Sequence, residues 1–404
     1  MKDRIYYFVD DIDTSFVLND IRKLASHTKE LLILSTEAIE REHLLPSNVS
    51  IIEEFIDWKR FKPLNILVSN FFTIISIYIN ECLLSRKFIK PKSTIALICS
   101  NIHKAKEALR AIEDFSIVKT KNNLFLAFWF YDCIYLAFLK KWGNAEDAVC
   151  RAHGGDLFEE RSSLNGKVLL RNFQLKYLNH VFSVSETGSI YLKQKYPNYA
   201  QKISVSYLGS KFHIDTNPFS KNEFVLVSCA KIRDVKRIHL IAEALLDIGI
   251  VMSWYHLGDE NLDAKNDPTI DLYKQAVSKL RSKQNIRYIK AGNLSNEALL
   301  KFYKEQPINL FISVSAAEGI PVSMMEAISY GIPILSTDVG GCKEIVNQET
   351  GMLIFQDPNP ELINKKILEF RNSGMNTIEF RKKVREYWEQ HFNEDINYGD
   401  FIKK

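Results

Sequence analysis

Residues 309–355 read NLFISVSAAEGIPVSMMEAISYGIPILSTDVGGCKEIVNQETGMLIF. An apolar run ends at Val314, a short turn carries Glu318 and Gly319, and Pro321 opens a helix that the spacing carries to about Tyr330. Proline at the first helical position and Gly331 just past the last are the expected start and stop signals. A second apolar run then ends in Thr337-Asp338-Val339-Gly340-Gly341. A helix start preceded by glycine offers free backbone N–H groups and the positive end of the helix dipole, which suits a diphosphate. Glu318 lies on the rim of that site and Glu326 one to two turns into the helix. A carboxylate accepts from two neighbouring hydroxyls at once, so each could grip a sugar diol, at about 1.5–3 kcal/mol per charge-assisted bond. Two glutamates eight apart are more often solvated carboxylates on a helix face; the surrounding strand, turn, helix and second strand set these apart.

Outward from this stretch, short β-branched or aromatic runs alternate with longer amphipathic segments, the pattern of βα units in a parallel sheet covered on both faces. One series of expected strands covers 5–9, 31–35, 124–130, 148–152 and 181–185; another covers 224–228, 252–257, 286–291, 310–314 and 334–336. Between them lies a polar connection, 210–222, with Gly209 before it and Pro218 inside it. The fold class that follows is α/β, with two Rossmann-like doubly wound parallel-sheet domains, 1–210 and 211–376, facing a central cleft. A helical segment, 377–404, is expected to pack back on the first domain. In open α/β sheets ligands bind beyond the carboxyl ends of the strands, so the chemistry belongs there.

A second segment, 224–246, reads FVLVSCAKIRDVKRIHLIAEALL: a strand, a basic loop and an amphipathic helix. Departure of a sugar leaves extra negative charge on a nucleoside diphosphate, and fixed cations aimed at it would lower the barrier without a metal ion. The bland alternative is a solvated basic loop. With the E-x7-E pair Glu318 and Glu326, this chain resembles the GT-4 glycosyltransferases of the GT-B fold. That family has Arg and then Lys five residues later at this turn; Lys231 and Lys236 match the spacing, with Lys in the first place. The resemblance implies that Glu318 meets the donor sugar, Glu326 the ribose, and Gly319, Ile320 and Pro321 the diphosphate and transferred sugar. Arg233 and Arg237 stand as alternates to the two lysines. Gly258, Val339 and Gly340, at other strand ends, complete the expected donor-binding set; Gly258 is no dinucleotide fingerprint, since G-x-G-x-x-G is missing.

Residues 148–162 read AVCRAHGGDLFEERS, so that His153 follows an expected strand. A lone histidine is usually structural. Here His153, Gly154 and Asp156 resemble the family's His-Gly-x-Asp stretch, which implies that His153 lies near the anomeric centre and that Asp156 orients it or the acceptor. The resemblance further implies retention of anomeric configuration by front-face substitution, with no dedicated base. Further partial matches, such as Val184-Ser185-Glu186 and Leu208-Gly209, spread it over nearly the whole length; it is thinnest over 40–100.

Composition excludes several classes. With hydrophobic residues at 46% and charged residues at 25%, the chain is neither disordered nor fibrous. A net charge of +4 is too small for a generic nucleic-acid binder. Its basic excess sits in residues 1–200, with 27 Lys and Arg against 23 Asp and Glu. Six scattered cysteines lack any C-x-x-C pair and read as reduced thiols. The N-terminus lacks a secretory signal's basic-then-apolar build, so a cytoplasmic protein is expected. Asp11-Ile12-Asp13 superficially matches a D-x-D metal site but reads better as a solvated or capping turn. No metal and no separate cofactor is expected; the donor is a nucleotide-diphosphate sugar, with UDP-sugar favoured.

Residues 63–80, PLNILVSNFFTIISIYIN, carry no charge and sit between Lys59, Arg60 and Lys62 before and Arg86, Lys87, Lys90 and Lys92 after. Six polar residues within them argue against a transmembrane span. An aromatic and aliphatic face with basic flanks suits an anionic membrane surface, while a buried helix with basic flanks is the equal alternative. The whole reads as a glycosyltransferase acting on a glycan acceptor, in related enzymes often polyprenyl-diphosphate-linked. A sugar-nucleotide epimerase or a non-catalytic sugar-nucleotide or glycan-binding module are the competing readings.

Overall fold

The computed structural model of the chain describes residues 2–10, 15–38, 45–85, 90–115, 122–131, 133–161, 170–220, 222–260 and 267–403. The Asp11-Ile12-Asp13 turn and two of the basic flank residues, Arg86 and Lys87, lie outside these.

The chain divides into two units. The first carries a seven-stranded parallel sheet of β1 (Lys2–Val9), β2 (Thr28–Ser35), β3 (Val49–Ile52), β4 (Asn123–Ala127), β5 (Ala148–Ala152), β6 (His180–Ser183) and β7 (Ile203–Val205), in the order β3-β2-β1-β4-β5-β6-β7. The second carries β8 (Phe224–Cys229), β9 (Met252–Leu257), β10 (Ile286–Gly292), β11 (Leu310–Ser313), β12 (Ile334–Thr337) and β13 (Gly351–Ile354), in the order β10-β9-β8-β11-β12-β13. Both orders are doubly wound, reversing direction between β1 and β4 and between β8 and β11. Strands covered on both faces by helices read as continuous apolar runs. Tyr7, Phe8 and Val9 of β1 and Leu31 to Leu34 of β2 are all fully buried.

The strand expected over 124–130 stops at Ala127 because the next residues spend their backbone groups on side chains. The Phe128 carbonyl accepts from His153 Nε2 at 3.1 Å, Phe130 N–H donates to Asp156 Oδ2 at 2.5 Å, and the Phe130 carbonyl accepts from Gln174 Nε2 at 2.6 Å. Phe128 N–H still donates to the Phe8 carbonyl at 3.0 Å, and beyond it the chain turns away.

The expected domain limits shift. The first unit is Met1–Ser206 with Tyr398–Lys404, and the second is Tyr207–Asn397. Most of the segment expected to return to the first domain therefore belongs to the second. The Ile378–His391 helix turns Phe380, Val384 and Trp388 inward at helical spacing, all buried, and Trp388 Nε1 donates to Ser210 Oγ at 2.8 Å. Arg381 donates to the Ile308 carbonyl at 2.6 Å, fastening the helix below β11. Only the last residues join the first unit, where Tyr398 and Phe401 pack on the buried Arg151 guanidinium at 4.5 and 4.4 Å from their ring centres. Arg151 and the Tyr398 hydroxyl both bond to Asp20, which supplies the counter-charge that a buried cation requires.

Among the described residues no single helix is long and apolar enough to cross a membrane; Pro63–Ser69 and Phe71–Leu84 would pass together but are bent by 86° at their junction.

Candidate active site

The reversal between β8 and β11 places two loops side by side at the carboxyl ends of neighbouring strands, the position at which open α/β sheets bind ligands. One is the basic loop after β8 and the other the turn after β11. Ala316 N–H donates to the Val235 carbonyl at 2.8 Å and holds them together.

Arg237 performs most of this tethering. It adopts a left-handed backbone conformation at φ 48°, and its guanidinium donates to the carbonyls of Val314 and Ser315 at 2.7 and 3.0 Å and of Gln356 at 2.7 Å, with Asp357 Oδ1 at 2.8 Å. A guanidinium spent on three carbonyls is a structural clamp, so Arg237 is withdrawn as a phosphate ligand. Thr337 Oγ1 adds a bond to the Ser315 carbonyl at 2.7 Å. Freed of their own conformational choice, the turn residues can present Glu318 in one orientation.

Lys236 Nζ lies 2.5 Å from Glu318 Oε1, with the two side chains 20% and 11% exposed. The basic loop after β8 and the turn after β11 thus meet through this ion pair. Lys231 and Arg233 stand exposed on the same loop. Gly340 lies against the turn from the far side: at φ 54°, a Cβ there would come within 2.0 Å of the Glu318 carbonyl oxygen. Its neighbour Gly341 donates to the Gly319 carbonyl at 2.7 Å. Val339 is buried behind them, as are Ile320 and Pro321.

The helix of this unit runs Val322–Ser329, with Pro321 as its N-cap at ψ 113° rather than its first helical residue. Its amides at Val322 and Ser323 precede the first intrahelical bond, as at any helix start. Glu326 is 8% exposed and accepts from Asn296 Nδ2 at 2.7 Å. Burial pushes its carboxyl up to about 7; the Asn296 bond works against that rise and Glu394 adds to it. Asn296 opens the Asn296–Glu305 helix behind its Ser295 cap, and no sequence signal marks it, because its partner is 30 residues away. Gly258, at φ 139°, brings the loop after β9 within 2.1 Å of the Ala230 carbonyl, measured from a would-be Cβ, and bonds to Gly292. Its demonstrated part is close packing of three strand ends.

His153 belongs to the first unit, at the end of β5. Its ring lies 4.6 Å from Phe128 and 4.7 Å from Trp129, centre to centre. Nε2 donates to the Phe128 carbonyl, so that nitrogen carries the proton. Burial, with Arg151 nearby, holds the imidazole down to about 3, hence neutral. Asp156 does not hold the ring: its oxygens accept from the backbone N–H groups of His153 at 2.7 Å and Phe130 at 2.5 Å. It shapes the loop on which the histidine stands. Burial pushes the Asp156 carboxyl up to about 7 against the pull of Arg171 and these amides.

Residues 210–391 match the family described as glycosyl transferases group 1. The chain is 22% identical over 209 residues to the amylovoran biosynthesis glycosyltransferase AmsK of Erwinia amylovora, covering 49% of each chain. It is 25% identical over 214 residues to the putative colanic acid biosynthesis glycosyltransferase WcaL of Escherichia coli K12, covering 48% of this chain and 49% of WcaL. These matches thus span about half the length of either relative. Among solved structures, Anabaena HepE in complex with UDP superimposes with a TM-score of 0.70 over 100% of this chain and 99% of its own, at 13% identity. The lipopolysaccharide outer core galactosyltransferase WaaB superimposes at 0.67 over 98% of both chains, at 14% identity. Residues 210–391 thus carry a glycosyl transferases group 1 domain, and the chain as a whole has the GT-B fold of the solved structures on which it superimposes.

Proposed function

We propose that the chain is a retaining, metal-independent glycosyltransferase that moves a sugar from a nucleotide-diphosphate donor, with UDP-sugar favoured, onto a lipid-linked glycan at an anionic membrane surface. The single observation that carries this reading is the Lys236–Glu318 pair at the β8/β11 reversal, 2.5 Å apart. The relatives named for amylovoran and colanic acid biosynthesis, and the UDP bound by HepE, support a nucleotide-sugar donor and a glycan product.

In this mechanism Glu326 accepts from the ribose hydroxyls and Glu318 from those of the donor sugar. Lys231 and Lys236 face the diphosphate, where negative charge grows as the bond from the anomeric carbon to the phosphate oxygen breaks. The acceptor oxygen bonds to that carbon from the same face, and its proton passes to the departing phosphate oxygen. His153, neutral and with Nε2–H committed to a carbonyl, positions substrate and transfers no proton.

The test offers the purified protein UDP-, GDP- and ADP-sugars with a lipid-linked oligosaccharide in EDTA, and reads the anomeric configuration of the product. Transfer with retention is expected. An inverted product or strict dependence on Mn²⁺ would overturn the mechanism. Conversion of the donor without acceptor would favour an epimerase, and donor binding without turnover a non-catalytic module.

A further inference from the structure

The described part of the first unit holds a groove that the transfer chemistry does not use. It is about 600 Å³ in volume, within the ~300–1,000 Å³ typical of small-molecule sites. Its walls come from the Phe71–Ser85 helix, from Lys141 at the end of the Cys133–Lys141 helix, and from the Arg171–Tyr177 helix, with Tyr199 closing one side. Lys141, Lys176 and Tyr177 stand where their helices lead toward the amino ends of the strands, away from the carboxyl ends that carry His153.

The lining joins two chemistries. Phe72, Ile77 and Leu84 give an apolar wall, and Phe72, at 86% exposed, stands at the mouth. Opposite, the ammonium groups of Lys141 and Lys176 lie 6.0 and 5.5 Å from the same Tyr177 ring. Both lysines are exposed, and neither makes an ion pair among the described residues. Lys140 and Lys202 add positive charge nearby, each anchored through backbone carbonyls rather than carboxylates. The one carboxylate in the lining, Glu81, is 3% exposed and already bonded: its oxygens accept from Phe173 N–H at 2.5 Å and Asn172 Nδ2 at 3.2 Å. An anion entering the groove therefore meets two cations and no exposed carboxylate of the lining.

The Phe71–Ser85 helix that walls the groove follows the Pro63–Ser69 helix, and together they bear an uncharged, exposed ridge. Leu64 and Val68 of the first and Leu83 of the second are 69%, 71% and 70% exposed, and Lys59, Arg60, Lys62, Lys90 and Lys92, before and after them in the sequence, are exposed as well. Apolar side chains ringed by cations are what a surface of anionic lipid complements.

We propose that this groove binds one phosphate-headed lipid, its chain along Phe72, Ile77 and Leu84 and its phosphate between Lys141 and Lys176. This rests on the reading that the chain works at an anionic membrane. The ridge then seats the protein on the bilayer while the groove draws a single lipid out of it.

The experiment titrates the full chain with dihexanoyl phosphatidic acid below its micellar concentration. Saturable one-to-one binding is expected, weakened about tenfold or more in Lys141→Glu/Lys176→Glu, as reversing two cations at a headgroup requires. Ser76→Trp, at the exposed rim, should block the groove without touching either lysine. Dihexanoyl phosphatidylcholine and glycerol 3-phosphate, lacking net charge and chain respectively, should each bind at least about tenfold more weakly. Unaltered binding in both variants, or equal binding of glycerol 3-phosphate, would overturn the proposal. Flotation on vesicles of phosphatidylglycerol and phosphatidylcholine separates it from the reading beneath it. Leu64→Ser/Val68→Ser should lose flotation and keep the titration. If the wild type fails to float yet titrates with the short lipid, the groove stands and the membrane reading falls.

Discussion

Removing either partner of the Lys236–Glu318 pair should be felt twice, in stability and in turnover. The charges approach to 2.5 Å and are mostly shielded from water, at 20% and 11% exposure. In a medium of effective dielectric near 20, that separation corresponds to a gross attraction of about 6–7 kcal/mol. Desolvation of both groups offsets most of it, which leaves a net coupling of about 1–3 kcal/mol, between the values for exposed and for buried pairs. Lys236→Met and Glu318→Gln should each remove about 2 kcal/mol, or about 4–8 °C from the melting temperature of a domain of this size. The double variant should melt well above the sum of the two losses, because the second change no longer strands a charge. In the transfer assay the same Lys236→Met change should slow turnover by about 10²–10³, the effect of deleting one group aimed at developing charge. Melting losses that simply add, together with turnover of Lys236→Met within about threefold of wild type, would refute the coupling and the role together.

Three further outcomes follow from neighbouring residues. Glu326, raised to about 7, accepts strongly from both ribose hydroxyls at once only when ionised, so UDP affinity should rise about tenfold between pH 6 and pH 8. Because its folded value lies above the unfolded one, its contribution to stability is present at low pH and is lost as pH rises through about 7; Glu326→Gln should flatten both profiles, and a flat wild-type profile would contradict the assignment. Gly340→Ala places a Cβ 2.0 Å from the Glu318 carbonyl at φ 54°, and should cost about 2–4 kcal/mol with a large loss of turnover, whereas Gly374→Ala, with open space around it, should be silent in both melting and activity. With His153 held down to about 3, the pH–rate profile should show no limb owed to it between about pH 5 and pH 8, and His153→Gln should lower the rate without changing the profile's shape.

The two series of strands were readable because buried parallel strands are apolar throughout; of the thirteen strands among the described residues, ten overlap runs named from periodicity alone. Those missed, Val49–Ile52, Ile203–Val205 and Gly351–Ile354, all lie at sheet edges and have only three or four residues, too few to display a period. Glu318 with Lys236 was legible because family spacing marked both, while their contact spans 82 positions and is a product of sheet order. The bonds that Arg237 and Asp156 make were hidden for one reason. Each side chain binds backbone groups, and a hydrogen bond to a carbonyl or an amide leaves no trace in the identity of its partner. The fate of the Ile378–His391 helix was equally hidden, since an amphipathic stripe declares that it will be buried and not against what.

The measurement that bears most directly on the central claim is calorimetric titration of UDP into the wild type and into Glu326→Ala and Lys236→Met at pH 8. The donor site described here predicts saturable one-to-one binding that weakens at least about tenfold in each variant, with the loss of bonds to the ribose and to the diphosphate. Wild-type affinity in both variants would place the nucleotide elsewhere and contradict the account.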